Sequence, residues 1–150
     1  MEEKLTFELV PDGCWYSNLR SILSKAQWDF LRADAKERSN YRCAICGKKT
    51  PMLEAHERWT YDEENKTQIF TDIIAVCKDC HSVIHIGRTS LCGDIKRAED
   101  HYMKVNKATY SEYCHALGKA NETHKRLNKI DEWKLDLTYL KRYVKGPEEK

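Results

Sequence analysis

Apolar side chains recur along this chain with two different periods. In LTFELV, residues 5–10, Leu5, Phe7 and Leu9 alternate with other positions, which predicts a short strand. Pro11-Asp12-Gly13 then supplies turn chemistry. From Ser24 the period changes. In SKAQWDFLRADAKERS, Trp28, Leu31 and Ala35 fall at helical spacing behind a serine suited to capping. That helix leads directly into Cys43. MLEAHERW (52–59) reads as extended, and TDIIAVC (71–77), β-branched and apolar, reads as its partner strand. YDEENK is a charged connection between them. Lys78 to about Ile86 predicts a short helix closed by Gly87.

The pattern after residue 93 is again helical. Ile95, Ala98, Tyr102 and Val105 share one face of a first helix. Thr109 and Glu112 have the spacing of a capping box that opens a second, with Tyr113, Leu117, Ala120 and His124 on one side. WKLDL alternates Trp133, Leu135 and Leu137 and predicts a strand or an extended strap. GPEEK (146–150) reads as a frayed tail. The expected fold class is α+β in three segments. Residues 1–42 form an N-terminal strand and helix packing on the core. Residues 43–93 form a strand–strand–helix core, and 94–150 a helical extension with a terminal strap.

Composition narrows the class. The chain has 150 residues, 41% hydrophobic and 33% charged, with net charge +2. This suits a modest core under a heavily solvated surface. No run approaches the ~18 apolar residues of a membrane span, and MEEKLTFELV lacks the basic-then-apolar pattern of a secretory signal. No membrane partner and a cytoplasmic location are therefore expected. Residues 94–150 carry thirteen basic and ten acidic side chains. That is no strongly basic footprint, although a local stripe can neutralise phosphates without moving the total.

Seven cysteines are present. Four of them form CAIC (Cys43, Cys46) and CKDC (Cys77, Cys80), thirty residues apart. Each CxxC turn aims two thiolates at one point, and two such turns make a tetrahedral zinc site with Zn–S distances near ~2.3 Å. Gly47 helps the chain reverse, and the predicted hairpin fills the gap. A redox role would need a CxxC that opens a helix after a strand in a βαβ setting, which neither pair does. Cys14, Cys92 and Cys114 are left over and read as free thiols used as small apolar residues.

VCKDCHSVIH (76–85) also carries His81 and His85. Four thiolates already close the zinc tetrahedron. Cys80 and His81 are neighbours about 100° apart around a helix, so they point to different sides. His81 and His85 are four apart and share a face. With His56 from LEAHER on the first predicted strand, they make a second candidate metal site. The alternative is a solvated histidine pair, with His81 hydrogen-bonding near the zinc.

CAIC, LEAHE and AVCKDCH with His85 four residues on resemble the HNH, or ββα-metal, nuclease family in its cysteine-flanked form. The likeness covers about residues 43–86. The flanks WYSNLRS, HYMKVN and EWKLDL resemble a subgroup of small bacterial and phage proteins of that type. The resemblance implies a ββα-metal hairpin–helix core stapled by structural zinc. It implies a second divalent ion (Mg²⁺, Mn²⁺, Ni²⁺ or Zn²⁺) on His56, His81 and His85, and metal-assisted hydrolysis of DNA phosphodiester bonds. In the family a general-base histidine follows the strand ligand; here that position is Glu57. An asparagine is expected nine residues before the first helix histidine; here that position is Asp72. The catalytic set carried over is therefore His56, Glu57 and Asp72. Reading His56 as the base instead would make Ala55 the ligand, which cannot bind metal. As a base Glu57 starts lower, with a reference pKa of about 4.3 against about 6.5 for histidine, so burial or a nearby carboxylate would have to raise it. Glu57 reads equally as an extra ligand or a surface charge. Glu54, three residues earlier, falls on the opposite strand face.

Arg58, Lys78 and Arg88 lie near this site in sequence and are the candidate phosphate contacts; a solvated role is the alternative for any one of them. Trp59 reads as core or as a base-stacking surface. Asp62, Glu63 and Glu64 read as a solvated turn. Two functions remain in play: a DNA endonuclease or nickase, and a non-catalytic zinc-stapled module that binds nucleic acid or a protein partner, as a phage regulator or anti-defence factor would. Cleavage specificity and oligomeric state are not encoded in these patterns.

Overall fold

The computed structural model describes residues 3–143. In chain order the elements are α1 (Leu19–Ile22), α2 (Lys25–Arg38), β1 (Glu54–Asp62), β2 (Thr67–Val76), α3 (Lys78–Ile84), α4 (Ile86–Cys92), α5 (Ile95–Asn106), α6 (Tyr110–Leu127) and β3 (Lys134–Asp136). Short 3-10 turns occupy Asp12–Cys14 and Thr138–Arg142. Among the described residues the architecture is α+β, with six α-helices and one three-stranded sheet in the order β1-β2-β3. No helix among them is long and apolar enough to cross a membrane. The tail GPEEK lies outside the described residues.

Two capping boxes start the longest helices. Ser24 Oγ accepts from the Gln27 amide, and Gln27 Oε1 from the Ser24 amide. Thr109 and Glu112 do the same for α6. Each box satisfies two amide donors that the first helical turn leaves open. Leu31 and Ala35 of α2 are then buried against the sheet, with Trp28 packed beside them.

The hairpin is longer than the sequence pattern indicates. β1 and β2 pair antiparallel from Glu54↔Val76 to Asp62↔Thr67, so only 63–66 remain as the connection. Asp62 holds that turn by accepting from the amide and side chain of Asn65. A bulge interrupts the register between Arg58 and Trp59, where Thr71 is the extra residue and donates its hydroxyl to Arg58 O. The predicted strand in WKLDL is β3, which pairs parallel to the outer end of β2.

Two sequence expectations are corrected. LTFELV is not a strand; it is an extended strap. Leu5 is fully buried and Phe7 stacks on Tyr102 at 4.9 Å, so the alternation does report one buried face. The strap lies on helices, however, and its polar backbone groups find helical partners. Asn106 Oδ1 accepts from the Lys4 and Leu5 amides, and its Nδ2 donates to Leu5 O. The Glu8 amide donates to Ile84 O at 2.8 Å. Nor does Gly87 close the ligand helix. α3 stops at His85, whose φ of −96° and ψ of 51° are not helical, and α4 starts at once with Gly87 in its first turn. Thr89 Oγ1 donates to Ser82 O, tying α4 back onto α3.

One apolar cluster joins all three sequence segments. Leu5, Leu19 and Leu31 meet Phe70, Ile73, Val76, Val83 and Ile84, and these meet Ala98, Tyr102, Tyr113 and Leu140. Each fully buried Leu, Ile or Phe side chain contributes roughly 1.5–3 kcal/mol. The core thus clamps the strap, the hairpin and α3 together, and this fixes the geometry of the sites below.

Candidate metal centres

The first CxxC follows α2 and is closed by short bonds. Gly47 N donates to Cys43 O and Cys43 N to Lys48 O, both at 2.9 Å. Gly47 has φ +80°, a left-handed conformation that glycine adopts without penalty. Ala44 N donates to Ala75 O, which pins this turn to β2. The second CxxC starts α3, with Cys77 at its N-cap. In each turn the second cysteine's amide points at the first cysteine's sulfur at 3.4 Å.

The four sulfurs lie within 4.8 Å of one another. Cys46 and Cys77 Sγ are 3.7 Å apart. A tetrahedral zinc with bonds near ~2.3 Å requires sulfurs roughly 3.8 Å apart, so this donor set could hold zinc with little movement. The proton chemistry agrees. Hydrogen bonds from Cys77, then Cys80, hold the Cys43 thiol well below its ordinary range. The bond with Cys43 pushes Cys77 up to about 11, and bonds with Cys43 and Cys77 hold Cys80 well above the usual thiol range. A divalent cation bound by the sulfurs would favour their thiolate forms. His101 from α5 lies beside it, its Nε2 3.2 Å from Cys80 Sγ.

His56, His81 and His85 form a second cluster, with one ring nitrogen from each within 4.8 Å of the others. β1 supplies His56, which is buried, and the other two straddle the end of α3. Ring centroids are 5.3 Å (His56–His81), 5.1 Å (His56–His85) and 4.7 Å (His81–His85) apart. Burial pushes His85 down to about 3 and also lowers His81, for which the Glu54 hydrogen bond opposes the shift. Both rings are thus favoured in the neutral form that ligates metal. Three imidazoles with room for a further ligand are a donor set suited to zinc, nickel or similar ions.

Two carboxylates that sequence reasoning missed touch this cluster. Glu8 Oε1 lies 2.8 Å from His56 Nε2, and Glu54 Oε1 lies 2.7 Å from His81 Nδ1. The second oxygen of Glu8 faces Arg58 Nε at 3.4 Å. Glu54 does fall away from Glu57, as strand alternation requires, and its partner is the helix.

The histidines open into a cleft of about 580 Å³, which Glu57, Trp59, Arg20 and Arg88 also line, with Trp28 and His124 farther along. Glu57 Oε2 accepts from the Leu19 amide at 2.7 Å. Burial raises its carboxyl above the ordinary value, with that hydrogen bond opposing the shift. Trp59 packs edge-on against Phe70 while reaching the same cleft. Arg88 also lines a smaller pocket with Lys78, Glu54 and His81. Asp72 is not part of this assembly. Its Oδ1 accepts from Tyr143 OH at 3.1 Å, and it is not among the residues lining the cleft.

Of the remaining cysteines, Cys14 is buried, and burial pushes its thiol up to about 11. Cys92 and Cys114 are exposed, contrary to the apolar role expected of them, because they lie on the solvent faces of α4 and α6. In the acidic turn, Glu63 pairs with Arg126 of α6 at 2.8 Å. Compared with known proteins, the chain matches no family model, no curated protein and no solved structure.

Proposed function

We propose that the chain is a metal-dependent endonuclease or nickase of the HNH, ββα-metal kind, acting on DNA. One observation carries this reading. Three histidines, two of them driven towards the neutral form, converge from a hairpin and the helix after it, and they share a cleft with a half-buried carboxylate. The order β1, β2, α3 is the order that such a core requires. Cys43, Cys46, Cys77 and Cys80 would hold a structural zinc that staples the hairpin to the start of α3.

His56, His81 and His85 would hold the second ion. Held by these three rings, a divalent ion would supply Lewis-acid polarisation of a phosphodiester and stabilisation of its leaving oxygen. Glu57 accepts the proton of the attacking water. Its Oε2 accepts from Leu19 N, and the Trp59 side chain bonds the same carboxylate. The raised carboxyl supplies some of the basicity that a glutamate lacks beside histidine. Arg88 and Arg20 in the cleft, with Lys78 beside it, suit phosphate oxygens. Arg58 faces Glu8 instead and is not among the residues lining the cleft.

The second reading is a zinc-stapled module of the same kind that binds nucleic acid or a protein partner without cleaving. Asp72 favours it, because its bond to Tyr143 leaves the expected asparagine position without a role in the cleft. Nicking of supercoiled plasmid separates the two. The zinc-loaded protein is supplied with Mg²⁺, Mn²⁺, Ni²⁺ or further Zn²⁺, beside His56→Ala and Glu57→Gln. Nicking that His56→Ala abolishes and Glu57→Gln strongly reduces supports the enzyme. No nicking with any of the four ions from a folded protein refutes it and leaves the binding module.

A further inference from the structure

We propose that Glu8 and Glu54 are positioning residues that set the ring tautomers of His56 and His81, and so aim these rings at a shared ion. The proposal rests on the second metal centre described above and goes beyond it by naming what presets that centre.

An ionised carboxylate only accepts hydrogen bonds. At 2.8 Å from Glu8, the nitrogen of His56 that carries the proton is therefore Nε2, and Nδ1 keeps its lone pair. At 2.7 Å from Glu54, the proton of His81 sits on Nδ1, and Nε2 keeps the lone pair. The two rings are fixed in opposite tautomers by carboxylates from opposite sides. An isolated imidazole divides itself between tautomers and rotates; a carboxylate contact favours one tautomer and one orientation. Carboxylates in this relation to metal-binding histidines raise ligand basicity and lock ring orientation. Among the described residues nothing comparable holds His85, which bends the chain between α3 and α4 and has its position set by the backbone.

Two hydrogen bonds hold Glu8, and its second carboxylate oxygen lies near a cation. Its amide donates to Ile84 O, one residue before His85. One carboxylate oxygen meets His56 and the other faces Arg58. The strap carrying it thus bridges the strand ligand and the helix ligands. On this account residues outside 43–93 are part of the metal centre.

The test uses full-length protein with zinc on its four cysteines, and compares the parent with Glu8→Ala, Glu54→Ala, Glu8→Gln and Glu54→Gln. Long-range ¹H–¹⁵N correlation spectra before any second ion is added read the tautomers directly. The expected result is Nε2–H for His56 and Nδ1–H for His81 in the parent, with each preference lost in the matching alanine variant. Ni²⁺ titration should then show affinity for the histidine site falling about 10- to 100-fold in each alanine variant. Glutamine, which can still accept, should lose less. Zinc content at the cysteines reports that each variant is folded. A parent with Nδ1–H on His56 or Nε2–H on His81, or unchanged Ni²⁺ affinity in both alanine variants, overturns the proposal. Ni²⁺ binding without DNA cleavage sinks only the nuclease reading. A parent that binds no second ion overturns both.

Discussion

Replacing Asn106 by alanine removes three hydrogen bonds at once, each 2.9 Å long. Asn106 is 4% exposed and ends α5, while Lys4 and Leu5 belong to the strap. A hydrogen bond contributes roughly 1 kcal/mol net, and a buried group left without a partner costs about 1–3 kcal/mol. The Leu5 amide and carbonyl are sealed, because Leu5 itself is fully buried. The Lys4 amide is nearer water and can be re-solvated. Two orphaned groups and one rescued one predict a loss of about 2–5 kcal/mol, a large part of the ~5–15 kcal/mol typical of a whole domain. The burial of Leu5 and the stacking of Phe7 on Tyr102 still hold the strap down, so the cost should fall mainly on global unfolding. Urea denaturation of the zinc-loaded protein measures it, and hydrogen exchange at the Leu5 and Glu8 amides shows whether the strap lifts first. Should it lift, the Glu8–His56 bond goes with it, and Ni²⁺ affinity at the histidines falls although Asn106 touches none of them. A loss under about 1 kcal/mol with unchanged exchange at Leu5 and Glu8 would refute the claim that Asn106 pins the strap.

Four further outcomes follow from single contacts. Phe70→Ala empties a fully buried site between Trp59 and Tyr139 and should cost about 3–5 kcal/mol in urea; a loss below about 1 kcal/mol would mean that this core is loosely packed. Lys107 caps α5 with φ 53° and ψ 46°, so Lys107→Gly should stabilise by roughly 1 kcal/mol, and a fall in stability would count against the strain. His101→Ala removes the ring beside Cys80 and should weaken zinc binding by about 10- to 100-fold, read by competition with a chelator; unchanged competition would make the contact incidental. Cys46→Ser should leave purified protein with far less zinc and a lower melting temperature, and full zinc occupancy would show that three sulfurs suffice.

Much of the framework could be read locally because its signals are local. Ser24 with Gln27, and Thr109 with Glu112, are caps made within four residues, and both helices start where those pairs stand. CAIC and CKDC each fold on themselves, so the gathering of four sulfurs needed only a hairpin to bring two turns together. The strap is different. Leu5, Phe7 and Leu9 announce a buried face, but period two says nothing about what covers it. Ladder partners were assumed where the actual partners are Asn106 and Ile84 O. The break at His85 was equally hidden, since Gly87 is a helix-ending signal and the chain resumes a helix through it.

The same division explains the histidine cluster. His81 and His85 share a face by spacing alone, and His56 was added from the expected hairpin. Glu8 lies 48 positions from His56, and nothing around it in sequence marks it. It reaches the site only because Leu5, Phe7 and Asn106 hold the strap against α5 and the Glu8 amide meets the end of α3. Strand alternation puts Glu54 on the face away from Glu57 but does not reveal a helix as its partner. Its partner is the residue after Cys80, and the thiolate cluster fixes where α3 lies across the hairpin. The two centres are therefore mechanically linked. Zinc on the cysteines would hold α3, α3 carries His81 to Glu54, and the strap brings Glu8 to His56. Removing zinc should thus disorder the histidine site even though it contains no sulfur, while removing the second ion should leave the thiolate site intact.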